Sequence, residues 1–385
     1  MRKGRSDGAL SPGCATRRTT RASCHSEQWI HTVKQERSTS LFEFWPTWLM
    51  YLPVALQWLL LSVRYRSLTL PLIANPDIPL AGMVGGSKDL LMSQAGGACR
   101  EALLPWVLHT VNSAPVAQQA QALLKDTHEA GIALPFVCKP DMGCRGAGVK
   151  LVRNEAQLQQ VLQAYPAGAG LVCQKLASFE PEVGIFYVRQ PGEDGYIASL
   201  TIKHTPCVIG DGRSTLRELV ARDPRAGKLL HLYESRNRAE WDHVIPDQKV
   251  HKLLFSASHC RGAVFEDARS LITRDLTRAI NRIMADLPNF HYGRLDVKFR
   301  DIPSLQAGQD LQIVEINGAS SESIHIWDRN ARLGDAIATL LWQYRTLFRI
   351  GAYHREQGKR TPGLSALISH WLLERRLTRF YPETV

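Results

Sequence analysis

Residues 136–152 read FVCKPDMGCRGAGVKLV, in which a glycine-rich loop separates two short apolar runs. The first run ends at Lys139-Pro140, and the second begins at Val149. Glycine lets backbone N–H groups approach a phosphate closely, and Lys139 and Arg145 add positive charge. The glycines of the loop are Gly143, Gly146 and Gly148. We therefore predict a phosphate-binding loop between two strands; the alternative is a hairpin in which the glycines only turn the chain.

The order of elements around this loop excludes two common nucleotide-binding motifs. A Walker A loop carries a GK[ST] sequence in front of a helix, and the glycines of a dinucleotide-binding loop also open a helix. Here a β-like run follows the glycines instead. The phosphate-binding hypothesis therefore needs support from a second group of residues.

That second group lies at residues 291–319, HYGRLDVKFRDIPSLQAGQDLQIVEINGA. Asp296 falls in one apolar run, and Glu315 and Asn317 fall in the next. Because side chains alternate along a strand, Glu315 and Asn317 share a face, and pairing of the two runs would bring Asp296 beside them. Two carboxylates and an amide oxygen suit Mg²⁺ bound together with nucleotide phosphates. Each residue alone is better explained by a surface salt bridge, but the three residues and the glycine-rich loop together indicate a metal–nucleotide site.

The rest of the chain mixes short β-like runs with amphipathic helices. We predict strands at 135–139, 149–152, 171–176, 182–189, 196–203, 291–299 and 311–316. We predict helices at 115–130, 154–164, 266–287 and 331–349. Since several strands follow one another without an intervening helix, the pattern predicts an α+β fold class rather than a regular βαβ sheet.

Composition limits the class of protein. The 385 residues are 44% hydrophobic and 22% charged, which excludes collagen, a wholly disordered chain and a polytopic membrane protein. The eight cysteines form no CxxC pair and indicate reduced thiols in the cytosol. Residues 1–40 carry eight Lys/Arg and three Asp/Glu, and residues 349–385 carry seven and three. These basic ends indicate either an anionic partner surface or two solvated tails.

Residues 44–63, FWPTWLMYLPVALQWLLLSV, carry no formal charge. Twenty apolar residues can just cross a hydrocarbon core of ~30 Å as a helix. Aromatic residues near the ends, followed by Arg64 and Arg66, are typical of a membrane interface. Pro46 and Pro53 oppose a regular span. Three interpretations stay open: an in-plane or re-entrant membrane helix, a single span, or a helix buried on the protein itself.

The two motifs together resemble the ATP-grasp superfamily, over roughly residues 85–345. The resemblance implies ATP as co-substrate, with Mg²⁺ expected as two ions. The residues that it places at the phosphates are Lys88, Lys139, Gly143, Arg145, Gly146 and Gly148. It places Gln174, Lys175 and Leu176 at adenine and Glu182 at the ribose. It implies Asp296, Glu315 and Asn317 as metal ligands, and Arg294 as the arginine that stabilises the reacting acyl group.

A further segment, KHTPCVIGDGRSTLRELVARDPRAG at residues 203–227, is similar to the amino-acid-ligating branch of that superfamily, the cyanophycin synthetase-like and D-alanine–D-alanine ligase-like proteins. The similarity implies that Lys203 points toward phosphate or substrate. Ser214 or Thr215 can cap the helix that follows the turn. Ser320, Ser321 and His325 follow the metal strand and are candidates for the substrate pocket.

These observations divide the chain into five segments and predict one activity. The segments are a disordered basic tail (1–40), a hydrophobic helix that is a candidate for membrane association (41–66), a linker with a truncated N-terminal sub-domain (67–112), the ATP-grasp domain of two α+β sub-domains (113–350) and a basic C-terminal segment (351–385). Within the last segment, residues 364–380 can form a basic helix on a membrane or a helix docked on the core.

The expected activity is an ATP-dependent carboxylate–amine ligase that works through an acylphosphate. The expected partners are amino-acid-like carboxylate and amine substrates, with a membrane surface as a further candidate and no nucleic acid. We expect the protein in the cytoplasm, free or at the cytoplasmic face of a membrane. The alternatives are a membrane-peripheral nucleotide-binding module without ligation and a kinase of the same fold.

Overall fold

The computed structural model describes residues 42, 45–143, 148–255 and 262–382. The α-helices in these ranges are α1 (Thr47–Tyr65), α2 (Lys88–Met92), α3 (Gly97–Ala102), α4 (Val116–Glu129), α5 (Glu155–Ala164), α6 (Leu216–Arg222), α7 (Leu230–Arg236), α8 (Arg274–Ala285), α9 (Ile302–Ala307), α10 (Leu333–Glu356) and α11 (Leu364–Thr378). The predicted tail at 1–40 lies outside the described residues, as do Arg145 and Gly146.

The strands form antiparallel sheets. They are β1 (Trp106–Thr110), β2 (Phe136–Pro140), β3 (Lys150–Val152), β4 (Gly170–Lys175), β5 (Glu182–Val188), β6 (Tyr196–His204), β7 (Cys207–Ile209), β8 (Val250–Lys252), β9 (Val264–Asp267), β10 (Tyr292–Phe299) and β11 (Leu311–Asn317). Sheet A has the order β1-β4-β2-β3, and sheet B has the order β11-β10-β5-β6-β9. Strands β7 and β8 form a separate hairpin. The glycine-rich loop belongs to sheet A, and the second motif belongs to sheet B.

Helices cover one face of each large sheet, because their apolar residues recur at helical spacing. In sheet A, Ala120 and Leu123 of α4 and Leu158 of α5 pack in the same buried cluster as Phe136 of β2. In sheet B, α8 contributes Leu276, Ala279, Ile280, Ile283 and Met284, all of them buried. Helices beside antiparallel sheets confirm the predicted α+β class.

The predicted helix at 266–287 was too long at its N-terminal end. Residues Val264–Asp267 form strand β9, which pairs with β6 at the edge of sheet B. The helix begins only after Thr273, whose side chain accepts a hydrogen bond from the Leu276 N–H. An N-cap of this kind satisfies a free backbone donor and fixes where a helix begins. The capping box at Thr215 does the same for α6, as the sequence predicted.

Helix α1 packs one side on the protein and exposes the other. Met50 and Val54 are buried in a cluster with Leu340 of α10. Trp58 packs edge-on to Phe348, which also lies on α10. The outward side chains are largely exposed; they are Trp48, Leu52, Leu56, Leu59, Leu60 and Val63. None of the helices in the described ranges combines the length and the apolarity needed to cross a bilayer. Of the three interpretations, packing on the protein describes the inner face of α1.

Two predicted segment limits differ from the limits of the elements. Strand β1 begins at Trp106 and pairs with β4, so sheet A begins before residue 113. Helix α10 continues to Glu356, past residue 350. Both differences arise because these segments gain partners that are distant in sequence.

The C-terminal helix α11 and the turn after it contact Gly85 and the start of the glycine-rich loop at Met142. Glu374 accepts a hydrogen bond from the Gly85 N–H at 2.9 Å, and the Tyr381 hydroxyl donates to the Met142 carbonyl at 2.8 Å. No residue of α11 is fully buried. The exposed apolar side chains of this helix include Ile368, Trp371 and Leu372.

Candidate active site

The second motif forms one polar face on sheet B. Strands β10 and β11 pair so that Asp296 lies opposite Glu315 and Arg294 lies opposite Asn317. Since side chains alternate along each strand, these four residues project to the same side. The register shifts immediately after Asp296, which places Val314 in a bulge. The pairing that the sequence predicted therefore brings the three expected metal ligands and Arg294 together.

Asp296 is a buried carboxylate held by two cations. Its Oδ1 lies 2.8 Å from Nε of Arg294 and 2.8 Å from Nζ of Lys203. Burial alone would raise the pKa of Asp296, but the two neighbouring cations hold it well below its usual value. Asp296 is therefore ionised at neutral pH, with Arg294 and Lys203 as its cationic partners.

Glu182, the expected ribose ligand, lies between two lysines. Its neighbours across β6 and β10 are Lys203 and Lys298, whose ammonium groups lie 2.7 Å and 3.1 Å from its carboxylate. Burial opposes ionisation, but the lysines lower the pKa of Glu182 below its usual value. Lys298 was not among the predicted site residues, although the alternation of Arg294, Asp296 and Lys298 along β10 was a sufficient signal.

Lys203 bridges the two predicted subsites. The same ammonium group contacts Glu182 and Asp296, and their charges raise its pKa although burial opposes this. Binding of a phosphate would give Lys203 a third anionic partner. Its contact with phosphate or substrate stays a prediction.

Lys139 connects the two sheets. Its buried ammonium group donates to Oε1 of Gln174 at 2.8 Å and to the carbonyl of Val314, in the bulge of sheet B, at 3.0 Å. Burial lowers the pKa of Lys139 to about 8; Glu315 opposes this shift and Lys88 adds to it. Near neutral pH the side chain is therefore a cation that can lose its proton in mildly alkaline solution.

Lys88, the first residue of α2, contacts both the glycine-rich loop and the strand pair of sheet B. Its Nζ donates to the carbonyl of Gly143 at 2.8 Å and lies 3.6 Å from Oε1 of Glu315. Asp141 fixes the start of α2, because its carboxylate accepts hydrogen bonds from the Ser87 hydroxyl and the Asp89 N–H. No local pattern points to Asp141, because its partners Ser87 and Asp89 lie 54 and 52 residues earlier in the chain.

The expected adenine-binding residues lie at the end of β4 and beyond it. The side chain of Gln174 is buried and is engaged by Lys139. The Lys175 N–H donates to the Pro105 carbonyl at 2.9 Å, and its side chain is exposed. Leu176 follows directly and is partly buried. Gly148, at the far end of the glycine-rich loop, has a positive φ of 75°.

The three weaker substrate candidates lie in the loop after β11. Ser320 donates its N–H to the Gly82 carbonyl, and the Ser321 hydroxyl donates to the Gly318 carbonyl at 2.6 Å. His325 is buried, and its Nδ1 has no hydrogen-bond partner within the part of the chain that the structure describes. Burial, and after it Arg269, lowers the pKa of His325 to about 4. A neutral His325 and two serines with local partners form the scaffold of this loop, and their contact with substrate stays a prediction.

The donor set of sheet B fits Mg²⁺. Asp296 and Glu315 offer carboxylates, and Asn317 donates its Nδ2 to Asp296 at 3.3 Å, which leaves its oxygen for a cation. Among the described residues no three acidic, histidine or cysteine side chains cluster as a metal site. A metal held here would therefore need the Asn317 oxygen and phosphate oxygens as further ligands, as Mg²⁺ does in nucleotide sites.

The family comparison agrees with this geometry. Residues 107–206 match the family model of the ATP-grasp domain. The chain contains an ATP-grasp domain. The match covers sheet A from Val107 onward, the glycine-rich loop, Glu182 and Lys203, and the residues expected to bind Mg²⁺ follow it on sheet B. No curated protein sequence matches the ATP-grasp chain significantly.

Solved structures with similarity to the ATP-grasp chain include three ligases. The D-alanine–D-alanine ligase from Bacillus anthracis has 13% identity and a TM-score of 0.40, with 72% of this chain and 70% of that chain covered. The VanG D-Ala:D-Ser ligase from Enterococcus faecalis has 13% identity and a TM-score of 0.36, with 69% and 62% covered. The bifunctional glutathione synthetase from Pasteurella multocida has 14% identity and a TM-score of 0.33, with 66% and 36% covered. The chain thus spans about a third of that synthetase.

The depressed pKa of Lys139 gives a pH prediction. ATP affinity should fall as the pH rises through about 8, because Lys139 is a cation below this pKa and neutral above it. The Lys139→Arg variant keeps its charge at all these pH values, so its affinity should change much less. Calorimetric titration with ATP, repeated from neutral to alkaline pH, measures the affinity of the wild type and of the variant. If ATP affinity fell in parallel in the wild type and the variant as the pH rises, another group would control the pH dependence.

Proposed function

We propose that this protein is an ATP-dependent carboxylate–amine ligase that forms an amide through an acylphosphate. The observation that carries the proposal is the single face on which Arg294, Asp296, Glu315 and Asn317 lie together. Lys203 reaches this face within sheet B, and Lys139 and Lys88 reach it from the side of the glycine-rich loop. A pure nucleotide-binding module has no need for an arginine beside the metal ligands.

The reaction has two steps. A carboxylate oxygen of the first substrate attacks the γ-phosphorus of ATP, and the bond to the β-phosphate oxygen breaks to release ADP. The nitrogen of the second substrate then attacks the acyl carbon, and inorganic phosphate leaves with the electron pair of the broken C–O bond. The nitrogen loses its proton, which leaves an amide.

The protein contributes position and charge. Lys139, Lys88 and Lys203 would hold the phosphates, and Arg294 would face the negative charge that develops on the acyl oxygen. Asp296, Glu315 and Asn317 would hold Mg²⁺, which when bound neutralises charge on the transferred phosphate. Glu182 would accept hydrogen bonds from the ribose hydroxyls.

The proposal is tested by measuring ADP release with pooled amino acids and dicarboxylates, with mass detection of the products. Hydroxylamine added in place of the amine should trap an acylphosphate as a hydroxamate. A phosphorylated product that is neither trapped nor converted to an amide would indicate a kinase. ATP binding with no ADP release under any of these conditions would indicate a binding module.

We also propose that the protein works in the cytoplasm and that the outward face of α1 lies on a membrane. This face is defined by Trp48, Leu52, Leu56, Leu60 and Val63, and each of them is about half exposed or more. Arg64 and Arg66 follow at the C-terminal end of the helix, where they suit anionic lipid headgroups. A helix that packs on the protein by its inner face can lie in the plane of the membrane by its outer face.

The doubly substituted variant Leu56→Asp, Leu60→Asp should bind anionic vesicles at least ~10-fold more weakly than the wild type, because apolar area drives interfacial binding. High salt alone should not release the wild type, since salt screens the arginines but not the apolar face. Sedimentation with the vesicles measures both effects. Val244→Asp is a matched control, since Val244 is a similarly exposed residue outside α1. The proposal would be contradicted if vesicle binding fell equally in the doubly substituted variant and in Val244→Asp, or if the wild type did not bind vesicles.

A further inference from the structure

Two tyrosines hold the two ends of the glycine-rich loop. The Tyr381 hydroxyl donates to the Met142 carbonyl at 2.8 Å, at the start of the loop, and the Tyr165 hydroxyl donates to the Gly148 carbonyl, at its far end. The two rings pack against each other, with their centroids 5.5 Å apart. One pair of aromatic side chains thus contacts both ends of the segment that we expect to bind phosphate.

The two tyrosines come from distant parts of the chain. Tyr165 directly follows α5, and its side chain is buried in the core of sheet A with Phe136 and Cys138. Tyr381 lies beyond the end of α11 and packs against the same core from the C-terminal segment. Burial is the main cause that raises the pKa of both phenols, that of Tyr381 to about 12. Both hydroxyls therefore keep the proton that they donate to the loop.

The glycines at the ends of the loop leave room for this pair. A Cβ atom at Gly143 would lie 3.2 Å from Cε2 of Tyr381, and a Cβ atom at Gly148 would overlap the Tyr165 hydroxyl. Both glycines also have positive φ angles, 142° and 75°, which residues with a side chain rarely adopt. The close approach of the two tyrosines to the loop backbone therefore depends on glycine at these two positions.

The C-terminal segment also contacts a second part of the expected phosphate site. Glu374 on α11 accepts a hydrogen bond at 2.9 Å from the N–H of Gly85, three residues before Lys88. Lys88 in turn donates from its Nζ to the Gly143 carbonyl at 2.8 Å. Residues 374–381 therefore reach the start of the glycine-rich loop directly through Tyr381, and they also hold the segment that carries Lys88.

We propose that Tyr381 and Tyr165 are positioning residues that fix the glycine-rich loop for the phosphates of ATP, so that the C-terminal segment forms part of the ATP site. This inference rests on the proposed function, in which the loop binds the phosphates. A loop that is held at both ends loses less conformational freedom when the nucleotide binds, which raises the affinity. The tyrosines act through the backbone of the loop and need no contact of their own with the nucleotide.

The test measures the affinities of the full chain for ATP and for adenosine by calorimetry. Tyr381→Phe keeps the ring and removes the hydroxyl, so the affinity for ATP should fall about 3- to 10-fold, the size of one hydrogen bond between neutral groups. The affinity for adenosine, which carries no phosphate, should change less than about twofold. Tyr165→Phe should give the same pattern, because it frees the other end of the loop. Tyr196→Phe is the matched control, since Tyr196 is exposed on β6, and it should change neither affinity.

The outcomes separate this inference from the proposed function. If the wild type does not bind ATP, the proposed function is wrong. If the wild type binds ATP and Tyr381→Phe binds it equally well, the C-terminal segment has no part in the ATP site. Equal losses of ATP and adenosine affinity, together with a lower melting temperature, would assign the two tyrosines to the stability of the fold alone. A loss of ATP affinity only, in both variants and at an unchanged melting temperature, is the expected result.

Discussion

Glu315→Gln should lower the rate of ADP release by at least ~100-fold, the usual size of a lost electrostatic contribution at a reaction centre. The change keeps the size and the hydrogen-bonding reach of the side chain but removes its charge. Glu315 lies opposite Asp296 in the strand pair and 3.6 Å from Lys88, so its charge serves both the expected Mg²⁺ and the lysine that reaches the glycine-rich loop. Steady-state ADP release with the reactive substrate pool measures the effect.

The Glu266→Gln variant is the matched control for this prediction. Glu266 lies on β9 in the same sheet, and its carboxylate pairs with His204 at 2.7 Å instead of with the residues of the site. It should retain turnover within a few-fold. The metal assignment would be wrong if Glu315→Gln released ADP at the wild-type rate. A melting temperature for each variant shows whether a loss of turnover reflects a loss of folded protein.

The local pattern of the sequence was sufficient for the centre of the site. Alternation along two adjacent strands predicted that Glu315 and Asn317 share a face and that pairing adds Asp296, and the register of β10 and β11 confirms this. The same rule gives the position of Arg294. These residues are predictable because strand periodicity and pairing are local properties of two segments joined by a short connection.

Contacts between distant segments could not be predicted in this way. Lys139 of sheet A reaches the Val314 carbonyl only because a bulge in β11 presents it. Tyr51 of the hydrophobic helix donates to Glu322, which no spacing rule connects to it. The segment at 264–267 has a composition compatible with a helix, but the free edge of β6 pairs with it as a strand. Tertiary partners thus decided what propensity left open.

The apolar composition of residues 44–63 likewise had more than one physical solution. A helix that is apolar on all sides can be buried by protein, by lipid or by both. The inner face of α1 packs on α10 through Met50 and Val54, so the body of the protein already covers part of the apolar surface. The vesicle experiment tests whether lipid covers the outward face of α1, which stays exposed.

Arg294→Lys should reduce product formation by ~100- to 1,000-fold while ATP affinity stays within a few-fold, the range expected for a donor to a developing oxyanion. In the structure Nε and Nη2 of Arg294 contact Asp296, and Nη1 points to the carbonyl of Glu322. A lysine can replace the ion pair with Asp296, but its single ammonium group lacks the planar fork needed to hold Asp296 and an acyl oxygen together. Calorimetry with ATP and a product assay by mass detection measure the two quantities separately.

Arg269→Lys is a matched control for this substitution, because Arg269 also holds a carboxylate two residues away, that of Asp267, but on the exposed edge of sheet B. It should leave both ATP affinity and product formation within a few-fold. Equal losses of ATP affinity and turnover in Arg294→Lys would instead assign Arg294 to the nucleotide. A selective loss of product, with hydroxamate trapping reduced to the same degree, would place the defect at acylphosphate formation or stability and not at capture of the amine, since hydroxylamine replaces the amine substrate.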